Sequence, residues 1–282
     1  SFLRLVKIGS RYNKMAVFEK NIANSELLIV GHGRSGSQES TILIKGHAKG
    51  IKNRNLFKEV RCGFLKLRPF LTEQLLATKS ESVYVVPCFA GPGNLTNSTI
   101  PEELGLSGSV TKKRNQVIYY SKPVGNHAKI INRMCELVQN TMLISKLPKK
   151  DTTIIVIGHG SIHNRQSETN TRAVAKQINH LKLSNKVIVM FLDQAPNLAD
   201  WSAHCKTTNA IVLSYLFSGG SHETIDIPKL MGFEPTNAKE RFINNQPIGP
   251  ICATGKQLWL CPLISADQII QEVILERVIE MN

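Results

Sequence analysis

The sequence predicts an α/β protein of two tandem domains, each a mostly parallel four-stranded sheet flanked by helices. Three observations carry this expectation. Short β-branched apolar runs, each ended by Gly, Asp or Ser, alternate with longer amphipathic stretches, as βα units around parallel strands require. The pattern occurs twice. LLIVGHG, from Leu27 to Gly33, returns as IIVIGHG; Phe64-Leu65-Lys66 returns as Phe191-Leu192-Asp193; and VVPCFAGPGNLTNSTIP returns as VLSYLFSGGSHETIDIP. The offset stays at 127 or 128 residues across all three landmarks, which marks a duplicated domain. Finally, 282 residues with 42% hydrophobic and 20% charged content suffice for two full cores.

The chain divides into a basic extension (1–24), a first repeat (25–146), a linker (147–152) and a second repeat (153–282). The extension sets Arg4, Lys7, Arg11, Lys14 and Lys20 against Glu19 and has no signal-peptide apolar core, so a disordered or edge-strand tail is expected. In the first repeat, residues 27–31 read as a strand, and the Gly/Ser-rich turn 33–40 feeds a helix over 41–53. Residues 60–65 form the second strand, and Pro69 suits the start of the helix that follows. The third and fourth strands are 83–88 and 116–120. Residues 126–145 read as a helix with Ile130, Met134, Leu137, Val138 and Met142 on one face.

The second repeat follows the same plan. Strands are expected at 154–157, 187–191, 211–216 and 258–261, with helices at 168–181 and 266–281. The stretch 231–250 is rich in Asn, Pro and Gly and reads as an inserted loop.

Composition narrows the partners. The 35 basic and 21 acidic residues leave a net charge of +14, which calls for an acidic ligand or surface. Aromatic content of 6%, with no basic helix or nucleic-acid motif, argues against nucleic acid. No apolar run reaches the ~18 residues a bilayer requires. The six cysteines form no CxxC pair, so reduced thiols in a reducing compartment are expected.

Each landmark of the second repeat ends in a chemically useful residue: His159, Asp193 and His222. Buried parallel strands place all three at or just beyond strand carboxyl ends, where open α/β sheets bind ligands. Two imidazoles and a carboxylate there suit a divalent metal or proton transfer near neutral pH. An isolated GHG is more simply a tight turn whose His bonds the backbone; a second His at the matching edge tips the balance to function. In the first repeat, Lys66 stands where the second has Asp193, and Asn94 stands opposite His222. These neighbours make His32 a poor cation site, which assigns the chemistry to the second repeat.

The ordered set GHGS (158–161), FLD (191–193) and FSGGSHETIDIP (217–228), doubled by its first-repeat counterparts, resembles the sirohydrochlorin chelatases of the CbiX/SirB-like class II type in their long two-repeat form. The resemblance spans nearly the whole chain from Leu27 onward. It implies two chelatase-like, flavodoxin-like domains facing each other across a cleft. It also implies ATP-independent insertion of Co2+ or Fe2+ into sirohydrochlorin, in cobalamin or siroheme biosynthesis. The metal is then a substrate, and neither ATP nor an organic cofactor is expected. His159 and His222 would bind metal and accept protons, with Asp193 assisting. Ser161, His32, Arg34, Lys66 and Asn94 are expected toward the substrate, with Lys45 a further cation for its carboxylates. The expected partner is this anionic tetrapyrrole, handled by a monomer in the cytoplasm, without nucleic acid or membrane.

The family's carboxylate is a Glu in FLE. Asp193 is one methylene shorter, so it either reaches the metal or orients a histidine instead. Glu223 is a substitute, with a solvated side chain the plainer reading; His47, His127, His163 and His204 read as surface residues. A histidine-nucleophile phosphatase would need Arg before its His, where Gly31 and Gly158 stand. The remaining alternative is a non-catalytic tetrapyrrole- or metal-binding protein derived from a chelatase.

Overall fold

The computed structural model describes residues 22–34, 39–162, 165–217, 222–234 and 246–281; the basic stretch to residue 21, His163 and the centre of the expected loop, 235–245, lie outside them. Sheet one contains β1 (Glu26–Gly31), β2 (Glu59–Phe64), β3 (Ser82–Pro87), β4 (Val110–Lys113) and β5 (Gln116–Tyr120), ordered β2-β1-β3-β5-β4. Sheet two contains β6 (Thr152–Gly158), β7 (Lys186–Phe191), β8 (Asn209–Ser214), β9 (Ile248–Ala253) and β10 (Lys256–Leu260), ordered β7-β6-β8-β10-β9. The four expected strands of each sheet are parallel, and a fifth adds to the edge as the antiparallel arm of a hairpin. Both extra strands lack an apolar pattern to read. β4 is VTKK with three of its four residues exposed, a charged edge. β9 is IGPICA, whose Gly and Pro disguise a strand that begins inside the expected loop and runs past its end.

The helices are α1 (Glu39–Lys52), α2 (Leu71–Leu76), α3 (Ile100–Leu104), α4 (Ala128–Ile144), α5 (Gln166–His180), α6 (Trp201–His204), α7 (Ile227–Met231) and α8 (Ile269–Ile279). Period-two alternation sends the side chains of each strand to two cores. Leu28, Val30, Val83 and Val85 pack outward under α2 and α3, while Ile155, Ile157, Ala210 and Val212 pack outward under α6 and α7. The opposite faces share one core: Leu27, Ile29 and Tyr84 from sheet one join Ile154, Val156 and Ile211 from sheet two. α1, α4, α5 and α8 fill the space between the sheets, contributing Ile51, Met134, Ile178 and Ile274 among others.

The two repeats exchange their last helices. α4 closes the first repeat yet lies on β8 of the second, and α8 closes the second repeat yet lies on β3 of the first. Polar contacts fasten the exchange. Arg133 on α4 donates to Asp267 at 2.7 Å, and His47 on α1 meets the Ser265 carbonyl at 2.8 Å. Arg277 on α8, almost fully buried, donates to the Pro123 carbonyl at 2.9 and 3.1 Å and to Asn126 Oδ1 at 2.8 Å. His47 and His127 are therefore not surface residues: His47 is buried in this seam, and His127 caps α4, accepting from the Lys129 amide at 3.2 Å. His204 is exposed, as expected.

All six cysteines are free thiols. Among the described residues no helix is long and apolar enough to cross a membrane.

Candidate functional site

In both repeats the carboxyl ends of the first and second strands are linked by the same backbone bonds. The Leu65 and Lys66 amides donate to the Gly31 and His32 carbonyls at 3.2 and 3.0 Å; those of Leu192 and Asp193 donate to Gly158 and His159 at 3.3 and 3.0 Å. The parallel ladder thus runs past the strand ends and sets Lys66 beside His32 and Asp193 beside His159. Gly33 and Gly160 make the turn that follows with φ of +65° and +77°, a conformation that suits glycine.

Identical backbones carry opposite charges. Asp193 Oδ2 lies 3.2 Å from His159 Nδ1, which also faces the Gly160 carbonyl at 3.1 Å. His32 instead faces Lys66. Burial holds its pKa below the usual imidazole range, Lys66, His159 and His222 act in the same direction, and a hydrogen bond with the Gly33 backbone opposes them. His32 is neutral at pH 7.

His222 opens a π-turn, His222–Asp226, that leads into α7. Four residues on, Asp226 Oδ2 accepts from His222 Nδ1 at 2.8 Å. The first repeat has the same turn at Leu95–Thr99, leading into α3. The turns correspond at 127 residues, so Leu95, not Asn94, stands opposite His222, and Thr99 opposite Asp226. Asn94 falls opposite His222 only in the register that pairs Gly91 with Gly219; the register that pairs Gly93 with Gly220 is the one the turns share.

The fold brings the two histidines of the second repeat together. Their ring centroids are 5.2 Å apart, edge to face. Each Nδ1 meets only acceptors, carboxylate or carbonyl, so Nδ1 is the donor nitrogen and Nε2 is the one left for a ligand. Among the described residues, no group of three or more His, Cys, Asp or Glu side chains is gathered closely enough to hold a metal.

These rings line a cavity of about 950 Å3 between the two sheet edges. Of the expected substrate-facing residues, His32, Arg34, Asn94 and Ser161 line it; Lys66 is exposed beside His32 and outside the lining. Lys45 also lies outside, over the Phe64 ring at 5.9 Å, as Arg172 lies over Phe191. Glu223 is buried, not solvated, and accepts from Ser265 Oγ at 2.8 Å. It faces the seam and no substitute role follows.

The first repeat supplies the opposite wall through the loop from Cys88 to Asn94, and second-repeat side chains hold that loop. The buried Tyr215 hydroxyl donates to the Ala90 and Gly125 carbonyls, and Asn170 Nδ2 donates to the Pro92 carbonyl at 3.0 Å. Burial pushes the Cys88 thiol up to about 12, so it stays protonated. The GHGS loop is braced by Gln194, which accepts from the Ser161 amide at 2.7 Å and donates to Glu168 at 3.1 Å.

Sequence reasoning missed Asp226, Tyr215 and Asn170. Asp226 carried a signal, since the spacing of His222 and Asp226 in HETID brings both to one face of a helical turn. Tyr215 and Asn170 carried none, because their partners are backbone groups of the other repeat.

A duplicated α/β fold with one cleft shared by both repeats and two carboxylate-backed histidines on one side has the architecture of the chelatases. The CbiX family model matches residues 26–141 and 153–281, and the chain belongs to this family of sirohydrochlorin chelatases. A probable sirohydrochlorin cobaltochelatase of Halobacterium salinarum is 28% identical over 271 residues, covering 89% of each chain. CbiX described as the terminal enzyme of siroheme biosynthesis in denitrifying bacteria superposes with a TM-score of 0.66 at 19% identity, covering 91% of this chain and 99% of that one. SirB of Bacillus subtilis, solved with Fe3+, gives 0.64 at 19% identity, covering 92% and 95%. At these identities the structures establish the fold.

Proposed function

We propose that the chain inserts a divalent metal, Co2+ or Fe2+, into sirohydrochlorin without ATP. The observation that carries this reading is the pair of imidazoles 5.2 Å apart, each with Nδ1 on a carboxylate, inside a cleft of about 950 Å3. Insertion requires the ion to shed water and two pyrrole N–H protons to leave. Neutral Nε2 atoms bind a borderline ion and accept protons near pH 7. In this reading His159 and His222 are the transient ligands and bases. Asp226 holds the Nδ1 hydrogen of His222, Asp193 shares that of His159 with the Gly160 carbonyl, and both orient the rings as outer partners do in metal sites. Asp193 therefore acts through His159 and not as a ligand. An open site of two imidazoles releases its metal more readily than a closed four-ligand one.

Arg34, Asn94, Ser161 and His32 would meet the polycarboxylate substrate, with Lys66 at the rim adding attraction. The net charge of +14 favours its approach. Both walls of the cleft come from one chain, so a monomer suffices, and six free thiols suit the cytoplasm.

The test is anaerobic absorbance of sirohydrochlorin with Co2+ or Fe2+, without ATP, comparing the wild type with His159→Ala and His222→Ala. Fast conversion by the wild type alone supports the reading, and the faster ion indicates the pathway. Tetrapyrrole binding without accelerated conversion makes the protein a carrier. Near-normal turnover by either variant removes that histidine from the mechanism.

A further inference from the structure

Arg34 leaves the carboxyl end of β1 in the first repeat and reaches across the cleft to the second. Its Nη1 lies 3.8 Å from Asp226 Oδ2, the same oxygen that accepts from His222 Nδ1 at 2.8 Å. The two contacts differ in kind. The shorter is a hydrogen bond; the longer is an ion pair beyond hydrogen-bonding reach. With 52% of the Arg34 side chain and 37% of the Asp226 side chain exposed, the ion pair is screened by water and weak. Arg34 thus stands over the cavity beside a carboxylate committed mainly to a histidine.

We propose that Arg34 changes partner when the tetrapyrrole enters: it leaves Asp226 and takes a peripheral carboxylate of the substrate, leaving Asp226 to His222 alone. The inference rests on the chelatase reading above and adds to it a link between the two repeats. The comparison of strengths favours the exchange. A guanidinium fork on a carboxylate makes two parallel charge-assisted hydrogen bonds, whereas the Asp226 contact makes none at its present distance. Arg34 therefore reads the substrate from the degenerate repeat, and Asp226 positions His222 in the active one. An empty cleft holds these two jobs in competition; a filled cleft separates them.

The experiment measures the Kd of metal-free sirohydrochlorin by absorbance titration, and kcat and KM for Co2+ insertion, in the wild type, Arg34→Gln, Arg34→Lys, Asp226→Asn and Arg34→Gln/Asp226→Asn. Arg34→Gln is expected to raise Kd and KM about tenfold or more, the worth of a charge-assisted hydrogen bond, with kcat little changed. Arg34→Lys keeps the charge without the fork and falls between. Asp226→Asn is expected to lower kcat and yet tighten Kd about two- to fivefold, because the Asp226 charge no longer competes with the substrate carboxylate for Arg34. That tightening must vanish in the double variant, whose Kd matches Arg34→Gln. A structural role for either residue would not produce tighter binding.

Wild-type Kd in Arg34→Gln, or unchanged or weaker binding in Asp226→Asn, overturns the exchange. If the wild type binds sirohydrochlorin without inserting metal, the enzyme reading falls while the Kd comparisons still decide the role of Arg34. If it binds no sirohydrochlorin, both fall.

Discussion

Replacing Arg277 with methionine should destabilise the whole molecule by about 1–3 kcal/mol, although the residue lies on α8 outside the cleft lining. Methionine keeps much of the apolar bulk and removes every donor. The Pro123 carbonyl is buried and accepts from both Nε and Nη2, so losing the guanidinium leaves it dry at a cost of about 1–3 kcal/mol. Asn126 is exposed and can turn to water, and Glu280 is 46% exposed, so their lost bonds add little. A domain's net stability is about 5–15 kcal/mol, so the loss is a large fraction of it. The assay is equilibrium urea unfolding followed by far-UV circular dichroism and by fluorescence of Trp201 and Trp259, both in the second repeat. The midpoint should fall with the slope unchanged, and the two probes should coincide, because one central core serves both sheets. Arg277→Lys, which keeps the charge without the fork, should recover less than half of the loss. A shift below about 0.5 kcal/mol would show that the seam does not depend on Arg277. Separate transitions for the two probes in the wild type would refute the shared core.

Gly125→Ala should force the seam open, since a Cβ there would stand 2.5 and 2.6 Å from the Ala90 Cα and carbonyl carbon; a loss of about 1–3 kcal/mol in denaturant and a raised KM are expected, and wild-type values for both would contradict the close approach. Burial holds His47 below the usual imidazole range, and His32 behaves likewise. The unfolded chain takes up protons near pH 6.5 and the folded one only below that, so this contribution is complete above about pH 6.5 and lost as pH falls through the lower folded values. Melting temperatures measured from pH 7.5 down to 5 should therefore decline, and His47→Gln should flatten the decline; an unchanged slope in that variant would remove His47 from the effect. The second repeat expressed alone lacks the α4 face that covers β8, so light scattering should find self-association or unfolding, and a stable folded monomer would argue against the helix exchange.

How much of this was legible beforehand follows from how far each signal reaches along the chain. Strand β6, with its unbroken TTIIVIG, and the strongly amphipathic α4 announced themselves through periodicity, which is local. The duplication was equally plain, because like motifs recur at a near-constant spacing. Strands β4 and β9 escaped detection: an edge strand buries one face at most, and these carry Lys, Gly and Pro where an apolar run would otherwise show. The short helices α3, α6 and α7 escaped because four or five residues hold too little of a period to recognise.

By itself, then, the sequence determined the α/β class, the two repeats, and the strand ends beside which His159 and Asp193 sit, whereas His222 stands eight residues past the end of β8, in the turn before α7. Strand ends follow from apolar runs and their terminating residues, and both are written in consecutive letters. Only the tertiary structure decided which surfaces meet. An apolar helix face demands burial without saying against what, so the crossing of α4 and α8 to the opposite sheets had no signature in either repeat. For the same reason the sequence could not place Arg34 of one repeat near Asp226 of the other, nor aim the Tyr215 hydroxyl at the Ala90 carbonyl. Those contacts join residues well over a hundred positions apart, and their geometry exists only once the shared core has set the two sheet edges face to face.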